Sequence, residues 1–566
     1  MKRYKLIVPL CLNLISPALQ AEDLGSALST HQQQLQRERE RLLRQEQEQA
    51  PDVVTLGLPE REITLPAYPE DEQPCSKIDV VRLEGEQAQR FQFALENITG
   101  ADGALGRCLG TQGIQLVLAR VQNAVIGRGY TTTRVLAQPQ DLSAGILVLT
   151  VLPGKVAQVR LAEDADRRGN TVTGLPISAG DILNLRDIEQ GLENLKRVPS
   201  AQADIEITPS QQAEAQSGYS DVVVQYRQAF PFRVSASLDD GGSRSTGRHQ
   251  AGMTLAYDNW WTLNDLFYVS VNRSLGRYGD RGSRGHTVHY SLPLGYWLLS
   301  ATSSASRYHQ TVAGAFETIV YSGLSETSEL KLARVVQRSA SSKTSLSARL
   351  MLRKSFNFID EAPLGSQQRR TTAWEAGIGH RHFLGAAVAE FNLNYRHALD
   401  RQGKAPDDEM ELPQIVTRYG LWLAESSLNA PFQLGQARWR YSMSARGQWN
   451  RHTLPPQDQF SIGGRYTVRG FDGELTLQAE RGWLLRNELA LSLESGVELY
   501  AGLDAGAVAG PMAQYLSGRR LSGAALGVRG SLDRLSYELF AATPLSRPSG
   551  LPATSLTGGF NLQWAY

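Results

Sequence analysis

Cysteine and methionine are scarce in this chain: three and six residues among 566. No C-x-x-C pair occurs, which excludes the common zinc-ribbon and thioredoxin-type arrangements. Charge of one sign is also lacking. Lys and Arg total 58 against 57 Asp and Glu, so the chain as a whole has no basic footprint for nucleic acid. Long apolar runs are missing too. Past the first residues nothing approaches the roughly 18 consecutive apolar residues of a spanning helix. If the chain lives in a membrane, it must do so as a closed barrel. Catalytic signatures are absent as well: there is no H-E-x-x-H, G-x-S-x-G or Walker-type loop. The reading is therefore no enzyme, no cofactor and no metal. The nine histidines show no ligand spacing. His380 and His382 share one face of a strand, and the expectation for them is a polar pair in a wet interior rather than a zinc site.

What is present begins with MKRYKLIVPLCLNLISPALQA. Lys2, Arg3 and Lys5 precede a short apolar core, Leu6 to Ile15, and Ala21 suits a cleavage site. Residues 1–21 read as a secretory signal. Cys11 falls inside it, leaving Cys75 and Cys108. Two cysteines in an exported chain suggest one disulfide, with two buried free thiols as the alternative.

Residues 22–50 form a polar helix in which Leu28, Leu35 and Leu42 give only a thin apolar stripe. Such a helix is a weak coiled coil, a solvated spacer, or a helix in a wet channel. Residues 51–74 carry five prolines among acids and read as an extended linker. Two units of strand, helix, strand, strand then follow, at 75–153 and 154–228. In the first, Ile114, Val117, Leu118, Val121 and Val125 lie at helical spacing; in the second, Leu185, Ile188, Leu192 and Leu195 do.

From 229 to 566 the pattern becomes one of alternating runs. In AEFNLNYRH, Ala389, Phe391, Leu393 and Tyr395 alternate with polar residues, and in QARWRYSMSARG, Trp439, Tyr441 and Met443 do so. A soluble sandwich and a membrane barrel share this period. The length of the stretch, its large aromatic outward sets and the terminal GFNLQWAY, with Phe560, Leu562, Trp564 and Tyr566 on one face, favour a barrel of about 14 to 18 strands.

One stretch breaks the pattern: RYTVRGFDGE, residues 465–474. The permanently charged Arg469 stands there among apolar neighbours. Val468-Arg469-Gly470-Phe471 in a glycine-rich loop resembles the V-R-G-F motif of the outer-membrane transporters of two-partner secretion, the TpsB family. Its members include haemolysin, filamentous-haemagglutinin and contact-dependent-inhibition transporters. Gly502-Leu503-Asp504-Ala505-Gly506 is similar to the family's Asp-x-Gly strand motif, except that Gly502 stands where an aromatic is common. The segment from Gly129-Tyr130 through LPGKV resembles its first POTRA domain, and NLRDIEQGLENLKRVPSAQADIEITP its second.

The resemblance implies an N-terminal plug helix, two periplasmic α+β POTRA domains and an antiparallel barrel of about 16 strands. A loop at about 455–482 would fold back into the lumen. Val468, Arg469, Gly470 and Phe471 would lock onto Asp504 and Gly506 of the wall, through the bidentate geometry open to Arg and not Lys. Cys75 and Cys108 would brace the first POTRA domain. The implied function is export of a large β-helical exoprotein, held unfolded at the POTRA domains, by a monomer in outer-membrane lipid. No nucleotide and no nucleic acid would take part. A barrel-assembly insertase of the same superfamily and a passive porin are the rival readings.

Overall fold

The computed structural model describes residues 17–48, 52–53, 66–100, 102–210, 218–276, 281–313, 318–402, 418–494 and 496–566. Most of the expected signal peptide, through residue 16, lies outside them, as does most of the expected linker.

Sixteen antiparallel strands, from Phe232–Asp239 to Thr557–Ala565, close into one barrel. The alternation read from the sequence sets their faces. In the strand Glu498–Ala509, Leu499 and Leu503 stand exposed on the outside, while Tyr500, Asp504 and Val508 are buried inside. Outward rows such as Leu350 and Leu352 are more than half exposed, a surface that only lipid would cover favourably. The same parity corrects the reading of His380 and His382. They share the outward face of Arg369–Leu384 with Trp374 and Ile378, so they do not line the lumen. Their rings stack at 5.9 Å, and the His380 ring bonds Thr344.

The barrel closes where its last strand meets its first. Pairing there runs from Asn561↔Asp239 to Ala565↔Ser235. Beyond Asn561 the regular ladder ends; Asp240 N–H still donates to the Phe560 carbonyl at 3.4 Å, and side chains reinforce the seam. Arg465 of the inward loop donates to Asp240 at 2.7 Å and to the Phe560 carbonyl at 2.9 Å.

Two small domains precede the barrel. In the first, the strand Ile146–Leu152 lies between Val80–Gly85 and Arg134–Leu136. Helix α2 (Thr111–Gly127) buries Val117, Val121 and Val125 against that sheet. Cys75 and Cys108 are joined as a disulfide, with Cα atoms 5.3 Å apart. Two residues expected in the linker belong to this domain's packing. Tyr68 is buried in its core under the Arg120 guanidinium, and Glu72 caps α2, accepting from the N–H groups of Gly110 (2.8 Å), Gln112 and Gly113 (2.9 Å).

In the second domain, Tyr219–Gln228 lies between Lys155–Leu161 and Ala201–Pro209. It carries the single-turn α3 (Thr171–Gly174) and α4 (Leu185–Leu195). Ile188, Leu192 and Leu195 of α4 face the sheet as its spacing predicts. Its polar face is buried as well, because it docks under the barrel rim. Arg338, at the end of a barrel strand, donates to Glu189, Gln190 and Glu193 at 3.2, 3.2 and 2.9 Å.

Helix α1 (Pro17–Gln47) lies inside the barrel. Its side chains reach inward groups around the whole wall: Ser243 from Gln32, Gln250 from Arg39, Glu329 from Arg44, Glu425 from Arg41 and Gln563 from Glu46. A helix touching strands on all sides can do so only from the lumen. Its even polarity suits that setting.

Candidate functional site

The strand Ala437–Asn450 leads into a long inward excursion that ends where Arg481–Ser492 resumes the barrel. Its stem is a short pair, Phe460–Ile462 with Leu477–Ala479. The tip carries Val468 to Phe471. Gly470 has φ +101°, a conformation that glycine adopts freely. A Cβ there would also sit 2.4 Å from the Thr543 carbonyl oxygen, so the tip rests directly on the wall's backbone. Val468 and Phe471 are buried with Ile462, Leu477, Leu484, Val508 and Leu521. The loop thus brings a small apolar core of its own into an otherwise polar lumen.

Arg469 lies at the edge of that core. Its Nε donates to Asp504 Oδ2 at 2.8 Å and its Nη2 to Asp504 Oδ1 at 2.9 Å. Its backbone N–H also donates to Oδ2, at 3.0 Å. Asp504 therefore accepts a fork and a main-chain bond together, and both side chains are almost wholly shielded from solvent. Gly506, two residues along, brings the wall close to the loop: a Cβ there would lie 3.1 Å from Ile462 and 3.3 Å from Val468.

Sequence reasoning did not find Glu488. It sits on the neighbouring strand, opposite Gly502 in register, and accepts from Arg469 Nη1 at 3.0 Å. Arg529 binds its other oxygen at 2.6 Å and continues to Glu498 at 2.8 Å. The lock is thus the inner end of a charge-alternating network across three strands. The signal available was the inward parity of Glu488 with Arg486. Gly502 now has a reason as well. A Cβ at that position would fall 2.2 Å from Arg469 Nη2, so the guanidinium lies flat where a larger residue would stand.

Two further groups tie loop, plug and wall together. Asp458, buried in the loop, accepts from Arg353 at 3.1 Å and from the Tyr419 hydroxyl at 2.6 Å, and lies 3.9 Å from Arg37 of α1. Arg446 of the wall pairs with Glu38 of α1 and donates to the Tyr466 carbonyl at 2.8 Å. Neither contact was legible in sequence, since each joins residues remote in the chain. Among the described residues, no group of three or more His, Cys, Asp or Glu is placed to hold a metal ion.

Three comparisons bear on this arrangement. The family model for haemolysin secretion/activation proteins of the ShlB/FhaC/HecB type matches residues 218–530, and POTRA models match 77–154 and 155–209. The chain is 37% identical to the outer membrane transporter CdiB-2 of Burkholderia pseudomallei, over 94% of this chain and 92% of that protein. It is 26% identical to the hemolysin transporter protein ShlB of Serratia marcescens, over 76% and 74%. CdiB from Acinetobacter baumannii superposes with a TM-score of 0.81 at 29% identity, covering 97% of this chain and 98% of that one.

Proposed function

The chain belongs to the ShlB/FhaC/HecB family of haemolysin secretion/activation proteins, and from that premise we propose how it engages and passes its client. It is an outer-membrane transporter of two-partner secretion, with its POTRA domains in the periplasm and a secreted exoprotein as its partner. The client arrives unfolded and adds a strand to an open sheet edge through main-chain hydrogen bonds. The first domain offers Val80–Gly85 for this, and the second Ala201–Pro209. The opposite edge of the first domain is less available, because the Gln122 side chain bonds Val135 N–H and the Thr133 carbonyl.

The client then crosses the lumen extended, after α1 has left it, while the Arg469–Asp504 lock keeps the loop seated. Folding of the client outside supplies direction, since the chain carries no nucleotide motif. One chain closes the whole barrel, so the working unit is read as a monomer. Of the client classes, a contact-dependent-inhibition toxin is favoured over a haemolysin, on the higher and longer identity to CdiB-2.

The observation that carries the reading is the polar helix held in the lumen by bonds around the wall. A passive porin has no use for it. The test is co-expression with a candidate exoprotein client, scored by protease-accessible exoprotein at the cell surface. Surface exoprotein that depends on this chain is the expected result. Exoprotein retained in the periplasm, with other barrel proteins depleted when the chain is removed, would favour an insertase instead.

A further inference from the structure

The second POTRA domain meets the barrel through the segment around α3, and the contacts there are polar and dense. Asn170 caps α3, its Oδ1 accepting from Val172 and Thr173 N–H. Its Nδ2 donates to the Thr262 carbonyl at 2.9 Å. Thr173 Oγ1 donates to the Leu263 carbonyl at 3.0 Å, and the Thr173 carbonyl accepts from Gly295 N–H at 2.9 Å. Asn264 Nδ2 returns a bond to the Asn170 carbonyl at 2.7 Å. Single-turn α3 is therefore stitched to two periplasmic turns of the barrel, at 259–265 and at 295–296.

Within this buried seam one side chain stands out. Val172 is 86% exposed, while Thr173 beside it is 7% exposed and Leu175 is 4%. An isolated exposed valine needs no explanation. This one is flanked on both sides by the barrel's outward rim. The first turn carries Trp260 and Trp261, which are exposed, and Trp260 packs edge-on against outward Phe267 at 4.9 Å. The second turn lies between the outward pair Leu294 and Trp297, also exposed. Tryptophan in such a row marks the level of the lipid headgroups. The row continues past the joint between domain and barrel, where exposed Phe230 contacts Phe232 at 6.5 Å.

We propose that the second POTRA domain docks on the inner phospholipid leaflet of the outer membrane, with Val172 inserted at the headgroup level as an extension of the barrel's aromatic girdle. The domain then has two lipid-level anchors, Val172 and the Phe230 joint. Together they restrain it from swinging and hold α4 beneath the pore mouth.

The test uses the full chain in phospholipid nanodiscs. An environment-sensitive fluorophore is attached at Val172→Cys, with Gln138→Cys, an exposed site on the first domain, as control. The expected result at 172 is blue-shifted emission, quenched by lipids carrying a nitroxide near the headgroup, with neither effect at 138. Equal emission and quenching at the two sites would overturn the proposal. A second measurement covers the consequence. Val172→Asp makes few protein contacts to lose, so its melting in detergent should match the parent. In nanodiscs, amide exchange across 168–176 should rise. Unchanged exchange there would show that the lipid contact does not hold the domain.

Discussion

Arg469 is bound on all sides of its guanidinium by carboxylates of the wall, and its partner Asp504 is more shielded than a wet lumen would allow. Removing one member of a buried, hydrogen-bonded ion pair costs on the order of 3–5 kcal/mol. The apolar packing of Val468 and Phe471 around the site argues for that full range rather than a value reduced by water. Arg469→Ala is expected to free the loop and cut exoprotein secretion strongly. The barrel should stay folded, scored by heat-modifiable migration on gels, because its ladder bonds are untouched. Arg469→Lys is expected to fail substantially, since an ammonium cannot span both Asp504 oxygens. The extra partner changes what Asp504→Ala should do. Arg469 keeps Glu488 in that variant, so its defect should be milder than that of Arg469→Ala, and adding Glu488→Gln should bring it level. Equal secretion by Asp504→Ala and the Asp504→Ala, Glu488→Gln double variant would deny Glu488 a share in the lock.

At the scale of elements, α1 fills the lumen with charged and amide side chains that find partners on the wall and loop. Those bonds exchange readily for bonds to water, so such a helix can be held at rest and still leave. Deleting residues 22–50 is expected to raise conductance in planar bilayers with barrel assembly intact; unchanged conductance would count against a plug. Helix α2 offers a separate test. What burial the Glu72 carboxyl has pushes its pKa up, but the three N–H groups at the helix start outweigh this and hold it below the usual carboxylate range. A lowered folded-state pKa means stability that is present above the ordinary glutamate range and lost as pH falls through the folded value. Glu72→Gln should therefore speed amide exchange at Gln112 and Gly113 near neutral pH. The difference from the parent should close on acidification. A difference that persists in acid would point to geometry rather than charge.

For the whole molecule the decisive joint is the one between second domain and barrel. Arg338 holds Glu189, Glu193 and the Val53 carbonyl together, and Asp52 pairs with Arg381 at 2.7 Å. The short stretch after α1 is thus clipped into the same joint that positions the periplasmic domain. Burial raises the Glu193 pKa, yet Arg338 and Lys343 outweigh it and hold the group below its usual range; for Glu189 burial prevails and the pKa is raised. Arg338→Ala strands both carboxylates with one cation fewer, at a cost of about 3 kcal/mol or more at the joint. Spin labels on the second domain and the barrel should show a broadened distance distribution. Only ionised carboxylates feel the lost cation, so the penalty should be largest near neutral pH and shrink on acidification, first at Glu189 with its raised pKa and last at Glu193 with its lowered one. A distribution as narrow as the parent's at neutral pH would remove Arg338 from this role.

The order of the parts was legible in the chain because each rests on a local pattern. Period-two alternation requires one polar and one apolar face, so two-faced strands followed without knowledge of any neighbour, and their number and outward aromatics favoured a barrel over a sandwich. Helical spacing in 111–127 and 185–195 marked the two domains in the same way. Contacts between remote segments were not legible. Glu488 and Asp458 are ordinary carboxylates until folding brings arginines to them, and Gly502 looked like a departure from pattern until a guanidinium lay across it. The apolar spacing of α4 was legible, but nothing in it showed that tertiary packing buries the polar face too, beneath the barrel rim. His380 and His382 show the limit of parity itself: alternation puts two residues on one face, but only the closed wall says whether that face meets water or lipid.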